Sequence, residues 1–302
     1  MIFHNANGTL TSKKEINFTL EKDLQKLVEA NLSSILGLTF VATEVSIESY
    51  RFDTLAYNEE TKSFVIIEYK RGKNESLVDQ GYAYLYTLLN RKADFVLLYN
   101  EVFNKAAGLK DFDWSQTRII FISPQFTDYQ KNATAFINMP FELYEVKQYE
   151  GGIVDVARIN ENKSTKAVAD TQVKDDKISK VSSEIIVYTE DDNLSKATDY
   201  VKELYAELKS RILSIGNITI EPKKFYIAFK GKTNVCDIVI AQKQLKLFIN
   251  LKDGQLNDSL GIARDIKDIG HWGNGDYEVS IKDDTMFDYI VSLVKQSYDI
   301  NG

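Results

Sequence analysis

Between Arg51 and Tyr84 the chain reads RFDTLAYNEETKSFVIIEYKRGKNESLVDQGYAY. Asp53, Glu68 and Lys70 in this stretch are the side-chain types that phosphodiester hydrolysis needs. The run Phe64-Val65-Ile66-Ile67 reads as a buried strand that ends in Glu68-Tyr69-Lys70, and Asn58 to Lys62 reads as the turn before it. Pairing about a centre near Glu60 sets Asp53 opposite Ile67, next to Glu68 on a neighbouring strand. Side chains alternate along a strand, so Glu68 and Lys70 face the same way. One hairpin therefore presents two carboxylates and an ammonium on one surface. Carboxylates so placed can share a Mg²⁺ or Mn²⁺ ion, which would activate water and offset charge on the phosphate. Lys70 would position the water or stabilise the transition state as a fixed charge. Without a cation the two acids repel, so a raised carboxylate pKa is expected.

The accessory groups follow on the next predicted helix. Gln80 and Tyr84 are four residues apart and share a face. Both reach back towards the site, Gln80 to orient Lys70 or a phosphate and Tyr84 to contact the backbone. Arg51, Arg71 and Lys73 are candidate nucleic-acid-binding residues, the last two forming a basic patch just past Lys70. Taken alone, Asp53 and Glu68-x-Lys70 have an ordinary alternative, a solvated strand end with a surface ion pair. Order and context favour a site, because an apolar strand that ends in charged residues is hard to explain as packing.

The elements that must position these residues are readable in outline. Leu20, Leu24, Leu27, Val28, Leu32 and Ile35 repeat at helical spacing, with Thr19 as N-cap and Gly37 as stop, so a helix is expected over 20–36. Glu21 lies on the stripe with Val28 and Leu32. It either points inward or is a first-turn acid that favours the helix dipole. Strands are expected over 38–47, 51–57 and 63–70, then a helix over 76–90. Further strands are expected at 94–99, 118–122, 141–148 and 153–159, with a short helix at 129–137. This order describes an α/β layer with a central mixed sheet. Residues 160–180 are polar and aperiodic and read as a linker, which divides the chain into domains at 1–159 and 181–302. In the second domain strands are expected at 184–188, 225–229, 235–241, 245–250 and 277–281. Helices are expected at 194–215, 259–266 and 286–298.

Composition narrows the chemistry. The chain has 302 residues and a net charge of −7, so a polyanionic partner must be held by a local patch. A single cysteine, Cys236, and two histidines, His4 and His271, argue against disulfides and Cys- or His-rich zinc sites. A metal site here would use oxygen ligands, which suits Mg²⁺ or Mn²⁺. No charged-then-apolar leader and no membrane-length apolar run is visible, and the expected location is the cytoplasm, away from membranes.

The segments LEKDLQKLVEANL, RFDTLAY, FVIIEYKRG and DQGYAYLYTLL resemble the PD-(D/E)XK nuclease superfamily. Within it they are most like NucS/EndoMS-type endonuclease domains and restriction-endonuclease-like proteins with a Gln-x-x-x-Tyr motif. The resemblance spans about residues 17–158. It implies that Asp53 and Glu68 are metal ligands, that Lys70 is the catalytic lysine, and that Glu21 completes the metal site. Gln80 and Tyr84 would be the accessory pair. Tyr69 stands where the family usually has an aliphatic, and it should face the other side of the strand. The implied fold is a restriction-endonuclease-like mixed sheet flanked by helices. The implied activity is metal-dependent DNA endonuclease. The C-terminal domain is then expected to serve targeting or homodimer formation. An RNA nuclease would differ only in substrate. The alternative from another class is a catalytically inactive nucleic-acid-binding or scaffold module with the same fold.

The phrases KFYIAFKGK, CDIVI and HWGNGDYEVSI resemble an uncharacterised C-terminal domain that accompanies such modules. The order of elements there suggests a degenerate copy of the first domain. Asp237 would parallel Asp53, and Asn250-Leu251-Lys252 would parallel Glu68-Tyr69-Lys70. Lys223, Lys224, Lys230 and Lys232 would form a basic strip, with His271 and Trp272 in a Gly-rich loop.

Overall fold

The computed structural model describes residues 1–70, 76–134, 139–159, 176–270 and 273–302. They form two compact units, Met1–Val187 and Tyr188–Gly302. The expected basic residues Arg71 and Lys73, most of the expected linker, and His271 and Trp272 lie outside the described residues.

The first unit opens with a hairpin, β1 (Ile2–Ala6) and β2 (Thr9–Lys13). Its turn is Asn7-Gly8, both at positive φ, the dipeptide that favours tight hairpins. A short β3 (Glu15–Ile16) follows. The single expected helix over 20–36 is two, α1 (Glu21–Ala30) and α2 (Leu32–Leu36), broken at Asn31. Leu20 and not Thr19 occupies the N-cap, and the Asp23 carboxylate accepts from its N–H. Gly37 ends α2 at φ 63°, a conformation glycine adopts without strain.

Then come β4 (Thr39–Ile47), β5 (Tyr50–Asn58) and β6 (Ser63–Tyr69), a meander close to expectation. Helix α3 (Leu77–Asn90) is capped by Ser76. Lys92–Phe103 is a helix, α4, which corrects the strand expected over 94–99. Its apolar run is too short for periodicity to decide, and its Phe95, Val96, Tyr99 and Phe103 join the core under α3 at helical spacing. The unit ends with β7 (Arg118–Ser123), α5 (Asp128–Ala133), β8 (Phe141–Tyr149), β9 (Ile153–Arg158) and α6 (Asp176–Glu184). Val181 and Ile185 are buried in the same core as α3. The first unit therefore runs past the expected boundary at 180, and the strand expected at 184–188 is absent.

Seven strands form one mixed sheet in the order β3-β8-β7-β6-β5-β4, with β9 on β8. The strands β6, β7 and β8 are parallel, and the other pairs are antiparallel. Helices cover both faces. Phe64 and Ile66 join the core under α3 and α4, whereas Val65, Ile67 and Tyr69 join the core under α1 and α2. A strand buried on both faces reads as a continuous apolar run. Gly81 marks how closely α3 approaches the sheet, since an added Cβ would lie 2.6 Å from the Phe141 ring. Phe141 is 3% exposed and packed against Tyr82 and Phe121, so it cannot yield cheaply. Gly81→Ala gains helix propensity but overpacks this contact, and a net loss of roughly 1–2 kcal/mol is expected by urea unfolding.

The second unit comprises α7 (Glu190–Leu194), α8 (Asp199–Leu213), β10 (Thr219–Pro222), β11 (Ile227–Lys230), β12 (Asn234–Ile240) and β13 (Leu245–Ile249). It is completed by β14 (Arg264–Asp265), β15 (Tyr277–Ile281) and α9 (Phe287–Asn301). All pairs in its sheet are antiparallel. No helix forms at 259–266. There Asp258 accepts from the N–H groups of Gly261 and Ala263, and Gly261 sits at φ 64°.

Candidate active site

The site is built where two strands part. The ladder between β5 and β6 ends at Thr54↔Ile67. Asp53 thus falls in line with Glu68, one residue beyond the expected register. The next N–H on β6, that of Tyr69, donates to the Asp53 carboxylate, with Oδ2 at 2.9 Å. The N–H of Lys70 bonds instead to the carbonyl of Ile122 on β7, at 2.8 Å. A carboxylate has replaced a ladder bond, and the end of β6 leans towards its parallel neighbour.

Glu68 is 5% exposed and lies on the α3 face. Its two oxygens have different surroundings. Oε1 accepts from Gln80 Nε2 at 2.7 Å and from Lys70 Nζ at 3.2 Å, with the Tyr84 hydroxyl 3.4 Å away. Oε2 is buried and no donor group reaches it, while the Asp53 carboxyl lies within hydrogen-bonding reach of Glu68. Burial, then the negative charge of Asp53, push the Glu68 carboxyl up to about 7 from an ordinary 4.5. Asp53 is raised as well, chiefly by burial, against the pull of the Tyr69 N–H and the Lys70 ammonium. The raised pKa expected of paired acids is present, and desolvation outweighs mutual repulsion in causing it.

Gln80 and Tyr84 reach back from α3. The Gln80 amide also donates to the Tyr84 oxygen at 2.9 Å, and the Tyr84 hydroxyl donates to the Arg51 carbonyl at 3.1 Å. Burial, with Glu68 nearby, raises the phenol to about 12, so it remains a donor at neutral pH. Tyr84 contacts the backbone as expected. Gln80 orients Glu68 in place of the expected Lys70 or phosphate. Tyr69 faces α1, where its hydroxyl lies 3.4 Å from that of Thr54.

Glu21 is not drawn in. It is exposed at the first position of α1, and among the described residues no group of three or more His, Cys, Asp and Glu side chains is placed to hold a metal ion. The polar residue that α1 does send inward is Gln25, one turn later, whose amide donates to the Asp53 carbonyl at 3.0 Å. A glutamine between Leu24 and Val28 on the buried stripe was the available signal. Arg51 is exposed and ion-paired with Glu44, which also accepts from Lys22 at 2.6 Å. Glu44 lies within β4, and nothing in its strand-like sequence surroundings sets it apart.

In the second unit Asp237 is fully buried and accepts from the Asn234 amide and from the N–H and amide of Asn274. The degenerate-copy expectation fails on connection and register. Asp237 pairs with Phe248, and β13 is followed by an antiparallel β15, whereas β6 leads through helices to a parallel β7. Asn250 ties its own backbone neighbours together, donating to the Asn234 carbonyl. Lys223 and Lys230 of the expected basic strip both pair with Glu221.

Residues 190–301 match a family model described as a domain of unknown function, DUF5655. Over 300 residues, 98% of each chain, the protein is 45% identical to an uncharacterized protein of Haemophilus influenzae. The chain belongs to that protein's family. Among solved structures, a repair endonuclease from Pyrococcus abyssi overlaps 44% of the chain at 19% identity with a TM-score of 0.29. An EndoMS–dsDNA complex overlaps 45% at 17% identity and a TM-score of 0.26. SfsA of Pyrococcus furiosus in complex with Ca²⁺ overlaps 46% at 14% identity and a TM-score of 0.25. The overlap spans 50% of each of the first two proteins and 62% of the third. Among the described residues of this family member, no helix is long and apolar enough to cross a membrane.

Proposed function

We propose that the first unit is a Mg²⁺- or Mn²⁺-dependent DNA endonuclease of the PD-(D/E)XK type, with Asp53, Glu68 and Lys70 at its centre. The observation that carries the reading is the asymmetry of Glu68. The donors from Gln80 and Lys70 converge on Oε1, while no donor group reaches the buried Oε2 and the Asp53 carboxyl lies within hydrogen-bonding reach of Glu68. Leaving a buried carboxylate oxygen unsatisfied costs about 1–3 kcal/mol or more, a cost that a shared cation would remove. Two hard carboxylate donors suit Mg²⁺ or Mn²⁺, and Asp53 and Glu68 would hold the ion. When bound, such an ion supplies charge neutralisation at phosphorus and an acidified water.

The chain's own groups do the rest. Lys70, 7% exposed, holds a fixed positive charge beside Glu68 where a scissile phosphate would carry its developing charge. Gln80 fixes the rotation of the Glu68 carboxylate, and Tyr84 anchors Gln80 to the β5 backbone. Arg51, Arg71 and Lys73 would contact phosphates and position the duplex. The second unit would serve targeting or homodimer formation.

One observation favours a second reading, a catalytically inactive nucleic-acid-binding or scaffold module. The third carboxylate, Glu21, stands outside the cluster. One assay separates the two. Supercoiled, linear, single-stranded and branched DNA are incubated with wild type and Asp53→Asn in Mg²⁺, Mn²⁺ or EDTA. Cleavage that needs both the metal and Asp53 supports the enzyme. Binding without cleavage on every substrate supports the scaffold.

A further inference from the structure

Asp53 is placed by more than its own strand. Between the pairs Thr43↔Thr54 and Val45↔Phe52, Glu44 adopts φ 54°. That left-handed conformation is uncommon for a non-glycine residue, and such strain clusters at functional sites. Beside this kink, the Asp53 carbonyl is bonded by side chains. Gln25 Nε2 donates to it at 3.0 Å, and the Thr43 hydroxyl lies 3.4 Å away. The same Gln25 nitrogen is 3.0 Å from Thr43 Oγ1 and 3.0 Å from Glu29 Oε1. Glu29 Oε1 in turn accepts from the Thr54 hydroxyl at 2.5 Å.

Two side chains one turn apart on α1 therefore clamp two successive residues of β5. Gln25 holds the carbonyl of Asp53, and Glu29 holds the side chain of Thr54. From β6, the Tyr69 N–H holds the Asp53 carboxylate. Gln25 is 4% exposed, on the helix stripe with Leu24 and Val28. A buried amide at such a place is costly unless bonded, and an apolar residue would pack there without that demand.

We propose that Gln25 is a positioning residue for Asp53, and that Glu29 fixes the Gln25 amide in the orientation that does it. This rests on the reading of Asp53 and Glu68 as cation ligands. Loss of the clamp frees the β5 backbone at Asp53 to follow the kink at Glu44, and the carboxylate drifts from its place beside Glu68. Partners that orient a metal-binding carboxylate typically govern 10- to 100-fold of affinity.

The test uses the full chain and Mn²⁺ alone, followed by electron paramagnetic resonance and calorimetry, with the melting temperature of every variant. Asp53→Ala is expected to abolish tight binding. Gln25→Met, which keeps the volume, is expected to weaken it by roughly 10-fold. Glu29→Ala is expected to weaken it similarly and serves if Gln25→Met does not fold. Glu29→Gln retains the acceptor and is expected to restore affinity. Phe112→Ala, which removes a buried ring packed on Phe64 and Tyr57 near the turn end of the β5–β6 hairpin, is expected to lower the melting temperature and leave Mn²⁺ affinity unchanged. Wild-type affinity in both Gln25→Met and Glu29→Ala, with binding lost in Asp53→Ala, overturns the positioning role alone. Absence of Mn²⁺ binding by the wild type overturns the cation reading and this inference together. A loss in Phe112→Ala equal to that in Gln25→Met also overturns it, because stability would then account for the effect.

Discussion

Lys70→Ala is expected to lower the rate of supercoiled DNA nicking by roughly 10²–10³-fold under single-turnover conditions, with little change in DNA affinity. The side chain is 7% exposed and its ammonium lies 3.2 Å from Glu68 Oε1. Its backbone is fixed by the bond from its N–H to Ile122 on β7. A charge so held needs no reorganisation when negative charge builds on a phosphate, which is why its loss should appear in the rate and not in binding. Removing it also strips Glu68 of its counter-charge, so the carboxyl should hold its proton more tightly. Lys70→Arg is not expected to restore the rate. A planar guanidinium does not fit where a compact ammonium is enclosed beside a carboxylate. The nicking assay in Mn²⁺, beside a gel-shift measurement in EDTA, checks both halves. A Lys70→Ala variant that nicks at the wild-type rate would remove the lysine from the chemistry.

The second large effect is on stability. In metal-free buffer the protein is expected to become less stable as pH rises from about 4.5 towards 7, the span between the ordinary Glu68 value and its folded one. The sign follows from linkage. Across that range the unfolded chain has released the Glu68 proton and the folded chain still holds it, so each step up in pH favours unfolding. A carboxyl raised this far would account for about 3 kcal/mol at most. Glu68→Gln removes the larger share of this titration and should make the profile shallower over the same range, Asp53 being raised as well. Saturating Mg²⁺ or Mn²⁺ should restore wild-type stability at pH 7–8 and do nothing for Glu68→Gln, because an ion that binds only the folded site stabilises by mass action. Thermal unfolding at a series of pH values, with and without metal, measures this directly. Parallel profiles for wild type and Glu68→Gln would show that Glu68 is not the group responsible.

The sequence by itself determined the part of the site that lies on one hairpin and the helix after it. Strand alternation puts Glu68 and Lys70 on one face, a short turn brings Asp53 to the same end, and helical spacing aligns Gln80 with Tyr84. These are local rules, and the structure follows them, with α3 starting at its Ser76 cap and β6 buried on both faces. Tertiary structure decided what depends on neighbours far along the chain. Lys92–Phe103 is a helix because Phe95, Tyr99 and Phe103 meet the core at helical spacing, although its residues suit a strand equally well. The second unit's hairpin imitates the first in sequence order, but its pairing register and the direction of the strand beside it separate the two folds. Which acid or amide of α1 faces the site was also beyond local reading. Glu21 and Gln25 are one turn apart on neighbouring parts of the same stripe, and the position of the helix over β4 and β5 selects Gln25. Finally, no spacing rule could leave one oxygen of Glu68 crowded with donors and the other bare. That asymmetry arises because α3 and the end of β6 approach Glu68 from one side, while the parting of β5 and β6 leaves the other side to Asp53.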